Sequence, residues 1–244
     1  MPTYIAMWSG PRNISTAMMR SWGSRSDTAV VDEPFYAHYL AHTPYRDQHP
    51  GADEIIAAYE TDWRKVAAAL TGEIPGGKAI YYQKHMTHHM LDHIDLAWTN
   101  TLTNCFLLRD PAEVITSFIK VIPNPTIEQT GLPQQARIFD HVRAVTGKIP
   151  PVIDSADVLK TPRETLAMLC DALNVPFDPT MLSWSPGRRD TDGIWAKYWY
   201  DAVEASIGFA PYQPKNEPVP AHLRGLLADC QALYQQMSAH TLKP

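Results

Sequence analysis

The stretch Tyr4-Ile5-Ala6-Met7-Trp8-Ser9-Gly10-Pro11-Arg12-Asn13-Ile14-Ser15-Thr16 decides the reading of this chain. Its first five residues form a short, unbroken apolar run that stops at Ser9-Gly10-Pro11, which predicts a buried strand breaking into a tight turn. Beyond the turn, Asn13-Ile14-Ser15-Thr16 leads into Ala17-Met18-Met19-Arg20-Ser21-Trp22, whose apolar spacing suits a helix with a polar start. Such a strand-loop-helix leaves the first backbone N–H groups of the helix unpaired and pointing outward. Together with the helix dipole they make an anion site suited to phosphate or sulfate. Arg12 adds a permanent cation, and Ser15 and Thr16 add hydroxyl donors.

Working outward, the same alternation recurs. Ala29–Val31, closed by Asp32-Glu33-Pro34, Lys78–Gln83 behind Gly76-Gly77, Thr103–Leu108 and Pro151–Asp154 are further strand candidates. Helical spacing runs from Ala52 to Leu70, Asp110-Pro111 opens a helix through Lys120, and helices are expected over 162–173 and 219–238. The prolines from 121 to 133 and the Gly/Pro/Arg-rich stretch around 185–193 read as loops. Strands that are continuous apolar runs, alternating with helices, indicate a parallel sheet covered on both faces. Residues 1–244 read as one domain, which that length supports with a real core.

Composition narrows the function classes. Twenty-one basic against 26 acidic side chains give a net charge of −5, no general reason for nucleic acid or an anionic membrane as partner. The three cysteines, Cys105, Cys170 and Cys230, are far apart and odd in number, against a disulfide framework or a cysteine-built zinc site. With neither a signal-like N-terminus nor an apolar run of membrane-span length, the expectation is cytoplasmic.

The opening loop is not a Walker A motif. Counting from Gly10, Ser15 and Thr16 fall where that motif needs Gly and Lys, which argues against ordinary metal-dependent ATP or GTP hydrolysis. P-R-N-I-S-T after a strand resembles instead the 5′-phosphosulfate loop of the sulfotransferase superfamily, P-[KR]-S-G-[ST]-T, with Asn13 for the serine and Ile14 for the glycine. Arg109-Asp110-Pro111, with Ser117 eight residues after the arginine, is similar to the family's 3′-phosphate segment. Arg109 at a strand end and Ser117 two helical turns along would reach one phosphate, although R-D-P alone also suits pairing of Arg109 with Asp110 or Glu113. Gly187-Arg188-Arg189 with Gly193-Ile194-Trp195-Ala196-Lys197 is similar to the family's late basic loop.

The resemblance implies a P-loop NTPase-like, three-layer α/β fold with a central, mostly parallel sheet. It implies a co-substrate, 3′-phosphoadenosine 5′-phosphosulfate (PAPS), held by Gly10, Pro11, Arg12, Asn13, Ile14, Ser15, Thr16, Arg109, Ser117, Arg188 and Arg189, with no metal. The acceptor would be a hydroxyl or amine of a small molecule; a homodimer stays open. Arg12 takes the leaving 5′-phosphate. For the base, Glu33 after the second strand matches one branch of the superfamily, with Lys84 as the second cation; His85 matches the other with a one-residue slip, and His88 is a third choice. His85/His89 and His89/His93 stand at i,i+4, a spacing that suits zinc on a helix, but Met86 follows His85 where a zinc protease needs Glu. Trp195, Tyr198, Trp199 and Tyr200 would cover an acceptor or an adenine, or simply pack. Two other readings remain: a P-loop-related ATP-dependent kinase or hydrolase, and a nucleotide-binding protein of this fold without transfer activity.

Overall fold

The computed structural model describes residues 2–214 and 217–243. Five strands, β1 (Thr3–Ser9), β2 (Thr28–Asp32), β3 (Ile80–Met86), β4 (Thr103–Leu108) and β5 (Val152–Asp154), form one sheet in the order β2-β3-β1-β4-β5. Every pairing is parallel. Parallel neighbours need crossover connections, and helices supply them on both faces.

The two faces sort by strand parity. Ile5 and Met7 of β1, with Ile80 and Tyr82 of β3, pack under α1 (Ser15–Trp22) and against Leu166 and Leu169 of α9 (Pro162–Ala172). Ala6 and Trp8, with Tyr81 and Phe106, face the other way. There they meet Val66 of α4 (Trp63–Leu70), Ile115 of α5 (Pro111–Phe118), Phe139 of α7 (Leu132–Thr146) and Cys230 of α12 (Arg224–Ser238). This is the alternation of a strand buried on both sides. A third cluster joins Tyr36 and Tyr39 of α2 (Tyr36–His42) and Ile55 of α3 (Ala52–Ala58) to Trp195 and Tyr200, which flank α10 (Ala196–Trp199) and precede α11 (Asp201–Glu204).

Three expected segments differ. The helical spacing over 52–70 is two helices, because the chain leaves α3 at Tyr59 in extended backbone and restarts where the Asp62 carboxylate accepts the Arg64 N–H. The stretch 121–133 is not all loop: Thr126 and Gln129 form a capping box on α6 (Ile127–Thr130), and Pro133 sits in the first turn of α7, where it lacks no hydrogen bond. The histidines from 85 to 93 share no helical face, since β3 runs through His85 to Met86 and only a 3₁₀ turn, Thr87–His89, follows. Among the described residues no group of three or more His, Cys, Asp or Glu is arranged to hold a metal ion, and no helix is long and apolar enough to cross a membrane. The short α8 (Ser155–Lys160) completes the helices.

Candidate active site

The carboxyl ends of β1, β2, β3 and β4 open on one cavity of about 440 Å³, as expected where connections diverge at a parallel sheet's edge. Pro11, Asn13, Ile14, Ser15 and Thr16 of the opening loop line it. Gly10 stands just behind: a Cβ there would lie 2.7 Å from the Thr130 carbonyl oxygen, so only glycine lets the turn pack on α6. Asn13 ties the loop down, donating to the Leu107 carbonyl (3.1 Å) and accepting the Ile14 N–H (2.9 Å). Ile14 packs partly against the core under α1. No side chain caps α1, and its first backbone bond runs from the Met18 N–H to the Ile14 carbonyl, so the N–H groups ahead of it have no helical acceptor.

Two guanidinium groups meet at this loop. Arg109 donates through Nη1 to the Arg12 carbonyl (2.5 Å), and Arg12 donates through Nε to Ser117 Oγ (3.0 Å). Arg109 also pairs with Glu113, at 2.9 and 3.1 Å, while Asp110 instead caps α5. Among the described residues no carboxylate pairs with Arg12. Burial first, and the neighbouring Arg109 charge second, push its pKa below the ordinary value. The loop end of the cavity is therefore short of negative charge, which fits an anionic ligand.

The far wall holds the opposite arrangement. Lys84 Nζ donates to Glu33 (2.6 Å), to Asp32 (2.9 Å) and to the Tyr200 hydroxyl (2.6 Å), with its own side chain 1% exposed. Tyr200 donates to the Asp32 carboxylate, 2.7 and 2.8 Å from its two oxygens, and accepts from Trp195 Nε1 (3.2 Å). The Gly193 N–H donates to Asp32 Oδ2 (3.1 Å), so the late loop is tied to the end of β2. Burial would lower the Lys84 pKa, but the two carboxylates outweigh it and hold the ammonium above its usual range. Burial, helped by Asp32 and opposed by Lys84, raises Glu33. The result is a permanent cation beside a carboxylate more basic than usual.

Backbone strain marks both walls. Among the described residues, Arg12 (φ 57°) and Glu33 (φ 41°) are two of three non-glycine residues in left-handed backbone. That conformation costs energy for a side chain with a Cβ and persists where surrounding structure fixes it, often at functional sites.

Some expected residues do not reach the cavity. His85 is excluded by parity: one residue after Lys84 on β3, it points to the opposite face. There it stacks on Trp8 at 4.2 Å, sits 3.1 Å from Gln83 Oε1, and is pushed by burial to a pKa of about 3. Arg188 is exposed and is not among the residues lining this cavity. Arg189 lies against the end of α1 near Gly23, beside the buried Arg20–Asp192 pair (2.6 Å). That pair fastens the late loop to α1, a structural task for the region expected to bind nucleotide. His88 and His89 do line the cavity, with Tyr36, Tyr39 and His49. Asp32 was not among the expected site residues, and Tyr200, expected only as an aromatic cover or as packing, contributes its hydroxyl instead; an Asp-Glu step at one strand end facing a lysine at the next was the available signal.

A family model described as a sulfotransferase domain matches residues 3–241. Among solved structures, the fold is similar to the sulfotransferase domain from the curacin biosynthetic pathway, with a TM-score of 0.56, 19% identity, and coverage of 100% of this chain and 99% of that one. It is also similar to the sulfotransferase domain of the Synechococcus PCC 7002 olefin synthase, with a TM-score of 0.53, 17% identity, and coverage of 100% and 96%. Two Arabidopsis thaliana proteins, branched-chain-amino-acid aminotransferase-like proteins 1 and 2, are 35% and 32% identical over 98% and 97% of this chain. The chain spans about two-fifths of the length of these relatives, 42% and 41%. The parallel sheet, the loop at its edge and the match along nearly the whole chain place this protein in the sulfotransferase family.

Proposed function

We propose that this chain transfers a sulfuryl group from 3′-phosphoadenosine 5′-phosphosulfate to a hydroxyl or amine of a small molecule. The observation that carries the reading is the convergence of Arg12 and Arg109 on one loop, facing the Lys84–Glu33 pair across a single cavity. Arg12, Ser15, Thr16 and the open end of α1 would hold the 5′ end of the nucleotide, and Arg109 with Ser117 its 3′-phosphate. When bound, PAPS supplies a sulfuryl group on a phosphate leaving group. The protein's own part is positioning and charge. Arg12 stabilises negative charge without releasing a proton. Lys84, kept cationic, faces the transferring group, and Glu33 takes the acceptor's proton. Residues 1–244 would act as one domain, with no metal in the step.

Lys84 also bears on the aminotransferase-like name of the plant relatives. A lysine that forms a Schiff base must be a neutral amine, and Lys84, the one lysine among the described residues that lines this cavity, is locked as an ammonium by two carboxylates. That activity is not the one proposed for this chain.

Titration calorimetry with 3′-phosphoadenosine 5′-phosphate tests the reading. Binding should weaken by about 2 kcal/mol, roughly thirtyfold, in Arg12→Ala and in Arg109→Ala. No binding, or binding indifferent to both changes, overturns it. Transfer without added magnesium separates it from an ATP-dependent reaction. Turnover lost in Glu33→Gln with nucleotide binding kept separates it from a nucleotide-binding protein without transfer activity.

A further inference from the structure

The cavity continues past Glu33 and Lys84 into a compartment walled by Tyr36, Tyr39, His49, His88, His89 and Trp199. Its composition differs sharply from the loop end. Among the described residues, only Arg12, Glu33, Lys84 and Arg109 of the lining carry a formal charge, and none belongs to this wall. Glu33 and Lys84 already engage each other at 2.6 Å. A carboxylate, phosphate or ammonium on an acceptor would therefore enter a desolvated aromatic compartment with no fixed counter-charge.

The wall is nevertheless polar in a specific way. Tyr36 lies face to face with His89 at 4.8 Å and 8°, and Tyr39 stands edge-on to His88 at 5.1 Å. His88 and His89 are 7% and 1% exposed. The Nδ1 of His88 and both nitrogens of His89 are sealed without a hydrogen-bond partner among the described residues. The Tyr36 hydroxyl is 2.7 Å from His49 Nδ1. Burial holds all three imidazoles neutral, His49 at about 4 and His88 at about 3, with His89 displaced the same way. A neutral imidazole offers one donor and one acceptor, and leaving either unmet in a buried site is costly. The sealed atoms face no ligand, so the imidazole nitrogens left to meet a hydroxyl group on a flat, uncharged molecule are Nε2 of His88 and Nε2 of His49, beside the stacked phenols.

Resting on the transferase reading, we propose that the acceptor is an uncharged, ring-shaped compound with at least two hydroxyl groups, one presented to Glu33 and another read by His88. His88 is in this view a specificity residue and takes no part in the transfer step.

The test uses the full chain, first titrated with 3′-phosphoadenosine 5′-phosphate and then held saturated with it. Four probes of one shape follow by calorimetry at pH 7: 2-naphthol, 2,7-dihydroxynaphthalene, 2-naphthoate and 2-naphthylmethylammonium. The dihydroxy compound should bind about tenfold tighter than 2-naphthol, and the two ions about tenfold or more weaker than it. His88→Phe should erase the advantage of the second hydroxyl and leave 2-naphthol and nucleotide binding intact, while His88→Gln, which keeps a donor and an acceptor, should retain part of it. Naphthoate or the ammonium binding as tightly as 2-naphthol overturns the proposal, as does a second-hydroxyl advantage that survives in His88→Phe. If His88→Phe does not fold, loss of the advantage in His88→Ala decides the same point. Failure of the nucleotide titration counts against the transferase reading, and the four probes are then ranked on the nucleotide-free protein, where the same order is expected.

Discussion

The two ends of the cavity solve the problem of buried charge in opposite ways. At the β3 end every charge is answered within the protein: Lys84 has two carboxylates, Asp32 has Lys84, Tyr200 and the Gly193 N–H, and the Tyr200 hydroxyl bonds to Lys84 and to both carboxylates. At the loop end Arg12 has a hydroxyl and Arg109 has one carboxylate, with their cations kept close together. An internally answered cluster contributes to folding and presents a fixed field. A cation left unanswered contributes little to folding and keeps its energy for a ligand. The comparison separates residues that hold the site from residues that bind in it, and substitutions should separate them too.

The largest effect belongs to Lys84. Lys84→Met would leave the carboxylates of Asp32 and Glu33, 2% and 13% exposed, side by side without their cation. Breaking a buried pair by removing one partner costs about 3–5 kcal/mol. Urea denaturation should show that loss, and adding Asp32→Asn to Lys84→Met should recover part of it. Equal stability of Lys84→Met and the wild type would end the distinction between the two ends.

His85 sharpens the comparison from the neighbouring position. It has no charge to answer and is stable only as a neutral ring against Trp8. With a folded pKa of about 3 against an ordinary 6.5, the unfolded chain binds the proton first. The stabilisation is thus complete above pH 6.5 and declines as the pH falls toward 3, by about 2 kcal/mol between pH 7 and pH 5. His49, His88 and His89, shifted the same way, add to the slope. Denaturation at the two pH values should show a steep dependence that His85→Phe reduces by about that amount. An unchanged slope in this variant would mean the ring does not carry it.

These neighbours also show how far the sequence could be read. The run Tyr4–Trp8 and the loop after it predicted β1 and α1 because an unbroken apolar stretch and a Gly-Pro turn are local signals. Thr103–Leu108 was legible for the same reason, and so was the parallel sheet. Lys84 and His85 had equal claims by composition. What separates them is which face of β3 each occupies, and that is set by the pairing of β3 with β1, Lys84 beside Met7 and His85 beside Trp8. Tyr200 was harder still. Its hydroxyl reaches Asp32 across 168 positions of chain, and its local surroundings, Trp195 to Tyr200, describe aromatic packing just as well. Arg188 and Arg189 show the converse, in which a basic loop expected to bind nucleotide is drawn toward α1 beside the Arg20–Asp192 pair.

The smallest expected effect is the most discriminating. Arg12 lines the cavity, has no carboxylate partner among the described residues, sits in left-handed backbone and is crowded by Arg109. Replacing it with alanine removes one hydrogen bond to Ser117 Oγ and relieves one repulsion. These oppose each other, and the left-handed backbone is no easier for alanine, so the stability of Arg12→Ala should stay within about 0.5 kcal/mol of the wild type. The same substitution is expected to weaken nucleotide binding roughly thirtyfold. If Arg12→Ala were instead as destabilising as Lys84→Met, Arg12 would be holding the fold together. The loop end would then be another internally satisfied cluster and not a place held open for an anion.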